Sequence, residues 1–196
     1  DERSYPAAVY VQHLFASGGV DPAWPLNGRA IGSSYLNSPR IISDGSGGAI
    51  IAWQVSYNIF AQRVNAAGLP QWTGGGVALC TAAGDQQSPE ITSDSSGGAI
   101  VTWIDNRGGG GPDLYAQRVD AAGAPQWTTN GVALCTAAGD QVVPTIVADD
   151  SGGAIVTWVD GGSGYYDIYA QRISAAGAVQ WRPNGVPLCV ASGGQY

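Results

Sequence analysis

The sequence predicts an all-β protein made of repeated four-stranded antiparallel sheets, and two observations predict it. The first is an internal repeat, because three near-copies of one segment begin at Ile41, Ile91 and Ile146. The second is composition: 30 Gly and only 12% charged residues in a chain of 196 favour short strands joined by tight turns. A repeat of this length marks units that pack on one another, since no unit can bury its apolar surface alone.

Each copy predicts four strands, as the second copy shows. These are a short strand over Glu90–Asp94, an apolar strand over Ala99–Trp103, a third over Leu114–Val119 and a fourth over Gly131–Cys135. The turn Asp94–Gly98 has the Asp and Gly residues that a tight hairpin needs. The second strand is apolar on both faces, which predicts a sheet packed between two neighbours.

The repeats predict a single repeat domain over 1–196 with one incomplete unit. The units are a partial one over 1–40 and three full ones over 41–90, 91–145 and 146–196. Segment 9–24 matches 114–127, so the partial unit is expected to hold only the last two strands, which makes fourteen strands in all. Because Asp1-Glu2-Arg3 corresponds to Asp105-Asn106-Arg107, which follows a second strand, we expect the chain to be a segment of a longer protein.

Four-stranded antiparallel units of about 50 residues, packed face to face, are typical of the blades of a β-propeller. The chain would supply about three and a half blades, and a β-solenoid is the alternative architecture. Such an arc exposes strand edges and cannot close a ring by itself. We therefore expect a partner that completes the ring: another protein chain, a second copy of this chain, or the rest of its own chain.

The repeat also carries a specific motif, Asp-Gly-x-Gly-Gly-Ala-Ile…Trp…Asp-Ile-Tyr-Ala-Gln-Arg-Val-Asp-x-x-Gly…Trp. It resembles a tandem repeat of large secreted or cell-surface bacterial proteins, and the resemblance covers nearly the whole chain. The resemblance implies a propeller-like fold and a place outside the bacterial cell, either secreted or on the cell surface. It implies no reaction.

Charge and hydropathy narrow the classes of function. The net charge is −7, and the eight cations are all Arg and are scattered along the chain, which argues against nucleic acid and anionic membranes as partners. We expect no membrane insertion, since no apolar stretch is long enough. The sequence favours a non-enzymatic scaffold for protein interaction or assembly. A carbohydrate-binding propeller module is the alternative, with a sialidase-like glycoside hydrolase as a distant third.

The sequence offers no catalytic residue and no metal or cofactor ligand set. The single histidine, His13, stands where the other copies have Arg. We therefore interpret it as a structural position whose residue has changed in this copy. Calcium at the Asp-x-Ser-Gly-Gly turns is an open alternative, although these turns lack a regular ladder of carboxylates. The three cysteines repeat at one position and lie too far apart to pair, so buried free thiols are expected.

Two groups of residues remain as candidates for binding. The first is Tyr165 and Tyr166, in a loop that differs among the repeats, because binding residues concentrate on variable loops. The second is a repeated tryptophan whose ring could support a sugar or pack between blades, the latter being favoured. These tryptophans are Trp24, Trp72, Trp127 and Trp181. The repeated arginines Arg63, Arg118 and Arg172 are expected to pair with acids such as Asp94 and Asp149 and so to be structural.

Overall fold

The structure, a computed structural model, describes residues 8–33, 36–191 and 193–195. Within these residues it has fourteen β-strands and no helix, and therefore no helix that could span a membrane. The strands are β1 (Ala8–Val11), β2 (Arg29–Ser33), β3 (Leu36–Ser43), β4 (Ala49–Val55), β5 (Asn58–Val64), β6 (Val77–Cys80), β7 (Gln86–Ser93), β8 (Ala99–Asp105), β9 (Asp113–Val119), β10 (Val132–Cys135), β11 (Gln141–Ala148), β12 (Ala154–Asp160), β13 (Asp167–Ile173) and β14 (Val186–Cys189).

The strands form four antiparallel sheets in chain order. Strands β1 and β2 make a two-stranded half-sheet, and β3–β6, β7–β10 and β11–β14 make the first, second and third sheets. The predicted all-β class and the four-stranded antiparallel sheets are confirmed. The segment Asp1-Glu2-Arg3, on which the expectation of a longer chain rested, lies outside the described residues.

The first strand of each sheet is longer than predicted. Strand β7 begins at Gln86 rather than at Glu90, and its first residues pair with Asp105 and Ile104 across a β-bulge. Ser88 adopts a φ of 53° in this bulge, which lets a Ser-Pro pair interrupt a strand that then resumes. The predicted unit boundaries at 41, 91 and 146 therefore fall five residues inside the first strands.

The hairpin between the first and second strands is fixed by an aspartate. In the second sheet, Asp94 Oδ1 accepts hydrogen bonds from the backbone N–H groups of Ser96 and Gly98, both at 2.8 Å. A Cβ at Gly98 would lie 2.2 Å from the carbonyl oxygen of Val119, so only glycine fits there. The Asp-x-Ser-Gly-Gly segment is thus a turn that forces the chain back onto the third strand.

Three apolar cores lie between successive sheets, and the one between the half-sheet and the first sheet includes Ile31 and Trp53. The core between the first and second sheets includes Trp103 and Leu79, and the core between the second and third includes Trp158 and Leu134. Every residue of β8 is buried, as expected for a strand with a sheet on either side. The outer face of the third sheet is different, since Leu188 is 59% exposed whereas its equivalent Leu134 is 2% exposed.

Candidate functional site

The repeated tryptophans lie between sheets rather than on a binding surface. The indole Nε1 of Trp72 donates to the Ala121 carbonyl oxygen at 3.1 Å, and that of Trp127 donates to the Ala175 carbonyl oxygen at 3.0 Å. The turn that contains each carbonyl also has a glycine in close contact with the ring. A Cβ at Gly123, for example, would lie 2.6 Å from the Trp72 ring. Trp24 is likewise covered, with only 9% of its surface exposed.

Trp24, Trp72 and Trp127 each contact a turn of the next unit, which favours packing between units over sugar stacking, and their role as binding residues stays a prediction. In each case a glycine of that turn is so close to the ring that a Cβ there would lie 2.5 to 2.7 Å from it. Trp181 is partly exposed in the structure.

The repeated arginines pair as predicted. Arg118 Nε lies 3.0 Å from Asp94 Oδ2, and Arg172 contacts Asp149 Oδ2 at 2.8 Å. The same pair recurs between Arg63 and Asp44 at 2.9 Å. Burial of Asp44 and of Asp149 opposes ionisation, but hydrogen bonds from turn N–H groups and from the arginine outweigh it and hold both pKa values below 3.8.

These ion pairs bear on the calcium alternative. In each turn one carboxylate oxygen accepts two backbone N–H groups and the other accepts the arginine, so that both oxygens already have donors. In the part of the chain that the structure describes, no three His, Cys, Asp or Glu side chains are grouped as a metal site would need.

The remaining single-residue candidates have structural contacts. His13 Nδ1 lies 2.9 Å from Asp21 Oδ2, and its ring packs against Phe15 and Trp24. Cys80 and Cys135 are buried free thiols, as expected, whereas Cys189 is exposed because it lies on the uncovered face of the third sheet. Burial raises the pKa of the Cys135 thiol to about 11.

Tyr165 and Tyr166 do line a pocket, of about 330 Å³, at one end of the third sheet. Its other described lining residues are Gly139, Asp140, Gly161 and Gly164. The two tyrosines are 62% and 40% exposed, and Asp140 faces their loop with its backbone carbonyl oxygen. The Tyr165–Tyr166 pocket thus combines two exposed aromatic rings with glycine backbone that lets a ligand approach closely.

The loop that carries the two tyrosines is held in place by its own hydrogen bonds. Ser163 Oγ donates to Asp167 Oδ2 at 2.8 Å and lies 3.1 Å from the carbonyl oxygen of Tyr165. The Gly161 N–H donates to the Asp140 carbonyl oxygen at 2.8 Å, which ties the loop to the connection before β11. The tyrosines are therefore presented on a folded loop rather than on a free one.

A different arrangement fills the equivalent end of the second sheet. Arg107 donates to both carboxylate oxygens of Asp105, through Nε at 2.8 Å and Nη2 at 2.6 Å. Its Nη2 also lies 2.8 Å from the Asn130 carbonyl oxygen, and its guanidinium lies 3.8 Å from the centre of the Tyr115 ring. Burial of Asp105 opposes ionisation, but Arg107 and the indole of Trp103 outweigh it and hold its pKa below 3.8.

Asp113 faces Asp105 across the strand pair and has the opposite shift. Partial burial, and then the nearby Asp105 charge, raise the pKa of Asp113 above 3.8. Two carboxyl groups with opposite shifts are what acid–base chemistry requires. However, Asp105 has no exposed surface, and Trp103 and Arg107 already hold its oxygens, so this pair stabilises the loop end rather than facing a substrate.

Comparison with known proteins gives matches among solved structures. No family model matches the chain, and no curated protein matches it. An N-acetylgalactosamine deacetylase from F. plautii, solved with blood group B trisaccharide, matches at a TM-score of 0.53 and 12% identity, over 94% of this chain and 58% of that one. An endo-arabinase from Bacteroides thetaiotaomicron matches at 0.48 and 16% identity, over 82% of this chain and 64% of that one.

An α-L-arabinofuranosidase from Lactobacillus brevis is similar at a TM-score of 0.47 and 12% identity, over 78% of this chain and 53% of that one. The chain therefore spans 53 to 64% of the length of the solved structures it matches. At these identities the likeness concerns the fold alone.

These matches correct the functional expectation. The prediction of a non-enzymatic scaffold, and with it the prediction that the chain is no enzyme, is contradicted. The matched structures are a deacetylase, an endo-arabinase, a xylanase and an arabinofuranosidase, which are enzymes of carbohydrate chemistry. Nothing in this group supports an assembly scaffold.

The sequence predicted two residues of the pocket and missed the others. Tyr165 and Tyr166 were found because their loop differs among the repeats. Asp140 was missed because it lies in the connection before β11, some 25 residues earlier in the chain. The pairing of Gln141 with Asp160 brings it beside the tyrosine loop, and that register could have been inferred by extending the first strand across its bulge.

Proposed function

We propose that this chain binds carbohydrate in the Tyr165–Tyr166 pocket, as part of an exported bacterial carbohydrate-active protein. The observation that carries the proposal is the composition of the pocket: two exposed tyrosine rings bordered by glycine backbone. The apolar faces of a sugar ring pack on aromatic rings, and its hydroxyl groups donate to backbone oxygens. The resemblance to repeats of secreted proteins supports the exported setting.

The matched fold supports the same class of ligand. The F. plautii deacetylase, whose complex contains a blood group B trisaccharide, matches this chain at a TM-score of 0.53. The proposal concerns recognition of a saccharide, which every carbohydrate-active protein requires. The pocket volume of about 330 Å³ corresponds to one or two sugar rings rather than a long oligomer.

We also propose that the three four-stranded sheets are successive blades of a β-propeller. The sheets contact one another mainly through their first strands, β3, β7 and β11. In a β-propeller the innermost strands of neighbouring blades contact one another in this way around the central axis. The same Trp-to-turn hydrogen bond recurs between the first and second sheets and between the second and third. A repeated contact implies a repeated rotation from one sheet to the next, which is how blades are related.

The binding proposal is tested by titrating the protein with arabino-oligosaccharides, xylo-oligosaccharides and blood group B trisaccharide in a calorimeter. We expect at least one of these to bind, and Tyr165→Ala and Tyr166→Ala each to weaken binding about tenfold, roughly 1.4 kcal/mol. The matched control is Tyr57→Asn, because Tyr57 is 58% exposed on the equivalent hairpin of the first sheet. Binding that survives Tyr165→Ala and Tyr166→Ala, or no binding of any of the three ligands, would refute the proposal.

A further inference from the structure

A cavity at the end of the third sheet matches, residue for residue, the place that Arg107 fills in the second sheet. The cavity has a volume of about 540 Å³ and is lined by Asp160, Tyr169, Asn184 and Gly162, among others. We call it the Asp160 cavity. It lies on the other side of the tyrosine loop from the Tyr165–Tyr166 pocket, and the two share no described lining residue.

The acidic groups in the two places are held alike. The Arg107 N–H donates to Asp105 Oδ1 at 3.0 Å, and the Gly162 N–H donates to Asp160 Oδ1 at 2.9 Å. The other oxygen of each aspartate accepts an indole N–H, from Trp103 at 2.8 Å and from Trp158 at 3.3 Å. The backbone of Gly162 therefore stands where that of Arg107 stands, and Asp160 has the surroundings of Asp105.

The third sheet also has equivalents of the other two groups that contact the Arg107 guanidinium. Asn184 has a φ of 61° and accepts a backbone N–H through its side chain, as Asn130 does at a φ of 65°. The turn around each asparagine is closed by the same backbone hydrogen bond, at 2.8 Å in the second sheet and 3.0 Å in the third, so the two turns that carry the carbonyl groups correspond. Tyr169 stands at the position of Tyr115 and stacks on Trp158. The third sheet thus retains a carboxylate, a carbonyl oxygen and an aromatic face, the three groups that hold Arg107 in the second sheet.

The chain does not supply a cation from the equivalent position. A Cβ at Gly162 would lie 2.5 Å from the Ala138 carbonyl oxygen, so no larger residue fits there without a backbone shift. The cavity also has one cationic neighbour, Arg182, whose Nε donates to the Gly185 carbonyl oxygen at 3.1 Å. Among the described residues, no ion pair joins Arg182 to Asp160.

We propose that the Asp160 cavity binds the guanidinium group of a ligand from outside the chain. Asp160 accepts two N–H groups of the planar cation side by side, the Asn184 carbonyl accepts a third, and the face of Tyr169 covers it. A guanidinium suits this geometry better than an ammonium, because only the planar cation presents parallel N–H groups to both carboxylate oxygens. Free guanidino compounds and arginine side chains of peptides share this chemistry.

The test is an NMR titration of the natural sequence that follows the Trp158 indole N–H and the Gly162 amide N–H. The probes are N-acetyl-L-arginine amide, its neutral isostere N-acetyl-L-citrulline amide, and N-acetyl-L-lysine amide. We expect the arginine probe to shift both resonances saturably, the lysine probe to bind at least fivefold more weakly, and the citrulline probe to shift neither. Equal shifts with citrulline, equal affinity for lysine, or no shift with arginine would each overturn the proposal.

Three variants place the binding at Asp160. Asp160→Asn keeps the shape but removes the charge and should weaken binding at least tenfold, whereas Arg182→Ala removes a competing positive charge and should tighten it. Arg107→Ala, if it folds, should create a second site that shifts the Trp103 indole. If it does not fold, the first two variants still decide the matter, because unchanged affinity in Asp160→Asn refutes the site.

The source of the guanidinium is distinguished by ethylguanidinium and the pentapeptide Gly-Gly-Arg-Gly-Gly. Tighter binding of the pentapeptide than of ethylguanidinium identifies an arginine side chain as the occupant, and the reverse identifies a small guanidino compound. Since neither probe contains a sugar, failure of this site leaves the carbohydrate proposal unaffected, and failure at the Tyr165–Tyr166 pocket leaves this one unaffected.

Discussion

The second and third sheets have nearly the same sequence, but their loop ends differ in one respect that changes their chemistry. In the second sheet, Arg107 neutralises the buried Asp105 and closes the space between the loops. In the third, Gly162 takes the same backbone position, and a cavity of about 540 Å³ remains beside Asp160. In a repeat protein, the loss of one side chain thus leaves its binding partners in place, and a structural ion pair becomes a candidate ligand site.

The second difference between these sheets is what covers them. The second sheet is covered on both faces, while the outer face of the third exposes Leu188 and Cys189, whose equivalents Leu134 and Cys135 are 2% and 1% exposed. Removing equivalent side chains should therefore lower the free energy of unfolding by different amounts in the two sheets, since that loss depends on how deeply the side chain is buried.

Among the variants that test this comparison, Arg107→Ala should have the largest effect on stability. In Arg107→Ala the carboxylate of Asp105, with no exposed surface, loses its cation, and we expect the free energy of unfolding to fall by about 3 kcal/mol in urea titrations. The matched change in the third sheet, Asp160→Asn, breaks no ion pair and removes one hydrogen bond, because the amide nitrogen cannot accept from the Trp158 indole, so a loss of about 1 kcal/mol is expected.

A double variant separates charge from packing. Asp105→Asn together with Arg107→Ala removes the uncompensated charge and should recover part of the stability lost in Arg107→Ala. If the single Arg107→Ala variant is no less stable than Asp160→Asn, Arg107 does not have the structural role assigned to it, and the comparison between the two sheets fails.

The pH dependence of stability sharpens the comparison further. The pKa of Asp105 is held below 3.8 in the folded protein, so its ionised form stabilises the fold above the pKa of the unfolded chain. That contribution should be lost as the pH falls below about 4 and through the folded pKa. Asp113, whose pKa is raised, acts in the opposite direction and regains stability as it is protonated.

Urea midpoints measured from pH 7 to pH 3 check this expectation. The natural sequence should lose stability most steeply below pH 4, with Asp44 and Asp149 contributing in the same sense as Asp105. In Arg107→Ala the dependence should be shallower, because the largest stabilisation of ionised Asp105 is gone. An identical slope in both proteins would show that Arg107 does not set the pKa of Asp105.

The comparison also shows which features the sequence could predict. The second and third strands, the aspartate turns and the Asp94–Arg118 pair repeat three times, and each copy supports the others. The beginning of the first strand could not be found the same way, because Ser88-Pro89 is typical of a loop and only a bulge with positive φ keeps it in the strand. Asp140 escaped for a related reason, since strand register rather than sequence proximity brings it to the tyrosines.

The smallest predicted effect concerns that same bulge, where the two sheets differ again. Ser88 has a φ of 53° in the second sheet, and its equivalent in the third, Val143, has a φ of 52°. A β-branched side chain is strained in the left-handed region, and Val143 is 67% exposed, so its loss removes little packing. Val143→Gly should therefore raise the free energy of unfolding by about 1 kcal/mol.

The reciprocal variant, Ser88→Val, should lower the free energy of unfolding by a similar amount, because it brings the same strain into the second sheet. If thermal unfolding shows neither change, the strain is relieved elsewhere in the bulge, and the two sheets are energetically equivalent at this position.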